Sequence, residues 1–220
     1  MPVVGAAMFR PGPPGKVGRK GSESGMHDVS DLLDRAKHGA VSQVELEWTA
    51  QSLADPAGRI DKYTLIHILG LAGSAAIYED LVAGFLHAPD DPMLSRMALL
   101  SVSSWNLMDK YMPELLAFCR GVEWDDEEDV RAVALTLAGN LLASKVNCDL
   151  LEILIETAKH GTESASARRL SLDALAVATG SPRSTLLPLT VDVDLEGSWA
   201  TSVLSRSGRL LVRSCGKRSA

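Results

Sequence analysis

From Asp28 to Thr179 the apolar positions recur at steps of three and four, the interval that lays side chains along one face of an α-helix. Short stretches rich in Pro, Gly and Asp interrupt the pattern at regular distances. One leading helix is predicted after Asp28, with acids in its first turn and Lys37-His38-Gly39 at its end. Four hairpins follow. Ser42–Ala54 pairs with Arg59–Leu71 across Asp55-Pro56-Ala57-Gly58, and Ala75–Leu86 pairs with Pro92–Ser104, with proline suited to a first helical turn. Asp109–Cys119 pairs with Glu127–Ala143, and Cys148–Lys159 pairs with Glu163–Ala178. The string Ala158-Lys159-His160-Gly161 repeats Ala36-Lys37-His38-Gly39 and predicts the same glycine-terminated helix end twice.

The second helices share a register. Arg96, Arg131 and Arg168 stand 35 and 37 residues apart and each opens an apolar run of similar form, with Lys62 a weaker match one unit earlier. Self-similarity at that period marks helical pairs that bury their apolar faces by stacking on one another. Small residues, Ala98, Ala134 and Ser171, fall at equivalent places and predict close helix approach. On the third unit, Val130, Val133, Ala134, Leu137, Ala138, Leu141 and Leu142 form one apolar stripe.

The turn residues Asp55-Pro56 and Asp91-Pro92, and the run Asp129-Val130-Arg131 followed by Ala134, Leu137 and Ala138, resemble the HEAT-repeat family and its bacterial HEAT-like relatives. The resemblance spans about residues 42–180, is weakest in the first hairpin, and leaves armadillo and other helical solenoids open. It implies an all-α, right-handed α-α superhelix of about four hairpins, and by analogy a non-catalytic scaffold or adaptor that binds protein. Two alternatives follow from the same resemblance. One is a bacterial immunity protein that neutralises a basic toxin. The other is a HEAT-like enzyme or lyase accessory, related to DNA alkyl-base glycosylases or bilin-attachment lyases.

The two ends read differently from residues 26–180. Residues 1–25, with Pro11, Pro13, Pro14, Lys16, Arg19 and Lys20 amid Gly and Ser, are expected to be a disordered leader, or sequence ahead of an initiation at Met26. Residues 181–220 are expected to be a weakly ordered tail. In it Leu186–Leu195 alternates like a short extended segment, and Arg206, Arg209, Arg213, Lys217 and Arg218 lie among Ser and Gly.

Charge and composition narrow the function. The formal net charge is −6, and residues 26–180 carry 24 acidic against 12 basic side chains, so nucleic acid is disfavoured as a ligand. No apolar run approaches a membrane span and none has the form of a secretory signal peptide, so no membrane partner is expected. Cys119, Cys148 and Cys215 have neither metal-ligand spacing nor an even count, and are expected to be buried or incidental thiols in a reducing, cytoplasmic setting.

The five histidines, His27, His38, His67, His87 and His160, lie far apart, and no phosphate loop or nucleophile motif is present, so no catalytic residue, cofactor or metal is expected. The densest charge is the run Glu123, Trp124, Asp125, Asp126, Glu127 and Glu128. These residues are expected either to form a solvated inter-helix loop or to bind a basic protein partner, with Trp124 as the aromatic anchor. Consecutive acids do not reproduce an EF-hand, so calcium is not expected. Trp48, Trp105, Tyr63, Tyr78 and Tyr111 are expected to pack in the core or to line a binding face.

Overall fold

The structure is a computed structural model and describes residues 28–181, 186 and 194–216. The expected leader, most of the alternating segment after Leu186, and Lys217 and Arg218 lie outside these residues. Among the described residues there are ten helices and no strand: α1 (Val29–Lys37), α2 (Gln43–Ala54), α3 (Lys62–Ala72), α4 (Ala75–Ala83), α5 (Pro92–Ser104), α6 (Met112–Arg120), α7 (Asp129–Ser144), α8 (Cys148–Lys159), α9 (Ala165–Ala178) and α10 (Ser198–Cys215). The chain is all-α. None of these helices is long and apolar enough to cross a membrane.

Local chemistry explains most boundaries. Asp28 accepts the Ser30 and Asp31 amides at the start of α1, and Gly39 ends that helix at φ +65°. Ser42 and Glu45 form a reciprocal capping box at α2. Arg35 of α1 reaches Glu45 at 2.7 Å, and this hydrogen bond, with those from Ser42, lowers the Glu45 carboxyl to about 2. Asp55 closes the first hairpin by accepting the Ala57 amide, and Pro92 begins α5. The end of α8 departs from expectation. Its cap His160 is extended, at φ −80° and ψ 111°, and Gly161 has no positive φ, because the chain turns instead through a Glu163 amide bond to the His160 carbonyl.

The helices pair as hairpins, α2 on α3, α4 on α5, α6 on α7 and α8 on α9, and the hairpins lie side by side. α1, α3, α5, α7 and α9 pack in succession as one layer, while α2 touches α4, α6 touches α8 and α8 touches α10 in the other. The core runs between the layers as one continuous apolar cluster.

Close approach within the odd-numbered layer depends on small residues. Ala98, Ala134 and Ser171 are fully buried, as their shared register predicted. The tightest places lie one to two turns further along. A Cβ on Gly70 would stand 2.2 Å from Ser101 Oγ, and Ser104 donates across to the Gly70 carbonyl at 3.0 Å. A Cβ on Gly139 would meet Ala174 Cα at 2.7 Å, a backbone atom that cannot swing away. The buried face of α7 accordingly takes in Arg131, Leu135 and Gly139 as well as Val130, Ala134, Ala138 and Leu142, because α5, α6 and α9 all press on it. We expect Gly139→Ala to lower the melting temperature despite alanine's better helix propensity, with overpacking costing about 1–3 kcal/mol. Gly84→Ala, where the nearest atom is a carbonyl oxygen at 3.4 Å, is the control and should be neutral or stabilising. Equal shifts in thermal unfolding would refute the close α7–α9 contact.

The carboxyl-terminal region corrects the sequence expectation. Residues Ser198–Cys215 form an 18-residue helix, with Ala200, Val203, Ser207 and Leu211 buried against α8 and α9. The stripe was masked because one of its four members is a serine, whose hydroxyl returns to the Val203 carbonyl at 2.9 Å, and because arginines fill the outer face. Arg169 of α9, itself buried, lies 5.8 Å from the centre of the Trp199 ring and helps seat the helix.

The cysteines also correct it. Cys148 at the start of α8 and Cys215 at the end of α10 form a disulfide across a sequence separation of 67, with their Cα atoms 5.9 Å apart. Only Cys119 remains free, and burial pushes its thiol up to about 12, so it is unreactive.

Candidate functional site

The acidic run forms the turn between α6 and α7. Gly121, at φ +92°, turns the chain sharply after α6 and lies against the Arg131 side chain. Two backbone bonds, Asp125 amide to Val122 carbonyl and Glu128 amide to Asp125 carbonyl, then fold residues 122–128 into consecutive tight turns.

The six residues do not act as one surface. Asp125 is buried, and its carboxylate accepts the amides of Val130 at 3.2 Å and Arg131 at 2.9 Å. It therefore closes the amino-terminal end of α7, a task Glu128 leaves undone because its own side chain makes no cap bond. Glu128 sits at φ +56°, a costly conformation for a non-glycine residue, and both its oxygens are committed. One takes Arg131 Nη1 at 3.0 Å and the other accepts the hydroxyl of Ser164, the cap residue of α9. Trp124 is half-buried, with its ring edge-on to Phe118 at 6.1 Å between centroids, and Phe118 in turn lies 5.6 Å from the His87 ring. Only Glu123, Asp126 and Glu127 are exposed. The expected partner-binding set thus divides into two structural acids, one anchored aromatic ring, and three outward carboxylates.

Replacing Asp125 with alanine should cost about 2 kcal/mol, because two buried amides lose a charged acceptor, whereas Glu127→Gln should stay within about 0.5 kcal/mol. Chemical denaturation of both variants tests the division, and similar midpoints would remove it.

Arginines tie the turns together. Arg131 donates from Nε to the Cys119 carbonyl at the end of α6, at 3.2 Å, and from Nη1 to Glu163 of the following turn at 2.8 Å. Burial lowers its proton affinity, but the bonds and charge of Glu163 and Glu128 outweigh this and leave the guanidinium pKa raised. Arg168 repeats the geometry, with Nε on the Ala158 carbonyl at the end of α8 and Nη2 on Glu196. Arg96 makes the forward link alone, to Asp129 at 3.4 Å. The three arginines noticed for their register each reach an acid 28 to 33 residues further along: Arg96 the first residue of α7, Arg131 the turn leading into α9, and Arg168 the residues just ahead of α10. The sequence marked the arginines but not their partners, because the acids carry no common motif.

The turn acids of neighbouring hairpins are also exposed: Asp55 and Asp61 before α3, and Asp90 and Asp91 before α5. Since α3, α5 and α7 pack in order, these turns follow one another along one edge. Tyr78 and Tyr111 are buried, and Trp48, Trp105 and Tyr63 are half-buried against the core. Among the described residues no group of three His, Cys, Asp or Glu side chains converges as a metal set. Compared with protein-family models, curated proteins and solved structures, the chain matches none.

Proposed function

We propose that the chain is a non-catalytic protein-binding scaffold built on HEAT-like repeats, a right-handed α-α solenoid whose acidic turn edge takes a basic protein. The observation that carries this reading is the row of exposed carboxylates on successive turns, ending at Glu123, Asp126 and Glu127 around the half-exposed Trp124. Support for the solenoid comes from the unbroken packing of α1, α3, α5, α7 and α9 in succession and from the forward reach of Arg96, Arg131 and Arg168. An acidic edge of this kind accelerates encounter with a cationic partner, and an aromatic ring held at its base by Phe118 supplies a fixed anchor. The Cys148–Cys215 bridge weighs against the cytoplasmic setting expected from the cysteine count, because such bonds persist mainly in oxidising compartments.

The test is charge reversal at Glu123, Asp126 and Glu127 together, leaving Asp125 and Glu128 in place so that α7 keeps its cap and its link to α9. A partner recovered by affinity capture from the native host should be basic, should bind at least ten times more weakly to the reversed variant, and should associate more slowly as salt rises. Trp124→Ala should accelerate its dissociation. Unchanged affinity in both variants, with native helix content, would remove the turn edge as the working surface.

A further inference from the structure

The outer face of α10 carries chemistry opposite to that of the acidic turn edge. While Ala200, Val203, Ser207 and Leu211 face inward, Leu204, Ser205, Arg209, Val212 and Arg213 border a groove of about 690 Å³ that Lys159, at the end of α8, completes. Among the described residues, every charged one that lines it is a cation. Of the 28 acidic residues in the chain, none falls between Ser198 and Cys215. Leu204, Gly208 and Val212 follow one another at steps of four and therefore share one helical face, with glycine leaving a depression between two apolar side chains. Arg209 and Arg213 flank that strip one turn apart, and Arg209 is held by a 2.7 Å bond to Ser205 Oγ.

We propose that this groove docks an acidic amphipathic segment of a partner protein, with apolar anchors over Leu204 and Val212 and carboxylates against Lys159, Arg209 and Arg213. Charge complementarity selects an acidic occupant. The shape selects a segment: from Thr201 to Arg213 the lining runs about 18 Å along the helix, the length of about three turns of a docked helix. The wall is already in place, because Cys215, two residues beyond Arg213, is bonded to Cys148, so little ordering accompanies binding. Among the described helices α10 packs mainly on α8 and α9, and none of the others lines the groove. The site is independent of the acidic turn and does not rest on its function.

The probe is a fluorescein-labelled 16-residue peptide with leucine at every fourth position and glutamate and alanine elsewhere, titrated with the oxidised full chain and followed by anisotropy. The expected result is saturable binding that weakens at least tenfold in Arg209→Glu/Arg213→Glu and in Val212→Asp, with no binding of the counterpart carrying lysine for glutamate. These side chains are exposed, so the variants should keep their helices, which circular dichroism checks. The proposal is overturned if the acidic peptide does not bind or binds the variants equally. It is also overturned if inorganic phosphate displaces the peptide completely at equal anion charge, which would mark a small-anion site. Peptide failure together with arginine-dependent binding to phosphatidylglycerol vesicles would assign the face to a membrane. Peptide failure together with dimers that the double variant abolishes would assign it to a second copy of the chain.

Discussion

Replacing Arg131 with alanine is expected to destabilise the protein by about 3 kcal/mol, the lower end of the cost of removing one partner from a buried charge cluster. At about 2–4 °C per kcal/mol for a chain of this size, the melting temperature should fall by about 6–12 °C. The side chain is only 8% exposed and engages three acceptors, the Cys119 carbonyl, Glu128 and Glu163. Without it the two carboxylates face each other across the turn with no cation between them, and Glu128 loses one of the two bonds that hold it at φ +56°. The lower end is chosen because both glutamates keep some water contact and because Arg131 Nη2 is buried without a partner, a cost the wild type already bears. Arg96→Ala provides the comparison. Its side chain is about a third exposed and its link to Asp129 is 3.4 Å long, so a loss below about 1 kcal/mol is expected. If thermal unfolding moves equally for the two, the buried position of Arg131 carries no special weight.

Breaking the Cys148–Cys215 bridge is expected to cost about 4 kcal/mol, from the loop-closure entropy that the bond removes from the unfolded chain across a separation of 67 residues. The loss should concentrate in the last helix. α10 is held by a narrow stripe of Ala200, Val203, Ser207 and Leu211, less apolar than the stripes of α7 or α8, so its amides should exchange faster on reduction while those of α7 change little. Thiol titration of the denatured, unreduced protein should find one free cysteine, Cys119, and three after reduction. Three thiols before reduction, or identical exchange in α10 with and without dithiothreitol, would remove the bridge as a stabilising element.

The legibility of the fold varied with the range over which each signal acts. The leading helix and all four hairpins were readable, with the boundaries of α5 and α8 falling where Pro92, Ser104, Cys148 and Lys159 placed them. Helical periodicity, caps and turn chemistry are properties of a few consecutive residues. The seventh helix was readable as a stripe but not as a surface. Its pattern named Val130, Val133, Ala134, Leu137, Ala138, Leu141 and Leu142, of which Val133, Leu137 and Leu141 stay half-buried, whereas burial also includes Arg131, Leu135 and Gly139, because four neighbouring helices pack on it. The candidate site was legible as a location and misleading as a unit. Five acids within six consecutive residues look equivalent in sequence, yet Asp125 points at the α7 amides and Glu128 at Arg131 and Ser164, leaving Glu123, Asp126 and Glu127 outward.

The sequence by itself determined the helical class, the hairpin order, the register of Arg96, Arg131 and Arg168, and the small residues that let helices approach, since each is written in local spacing. Tertiary structure alone decided which acids each arginine meets, which carboxylate becomes a cap, that residues 198–215 dock as a helix, and that Cys148 finds Cys215. Those outcomes depend on where segments tens of residues apart come to rest, and that placement follows from packing all the apolar stripes at once.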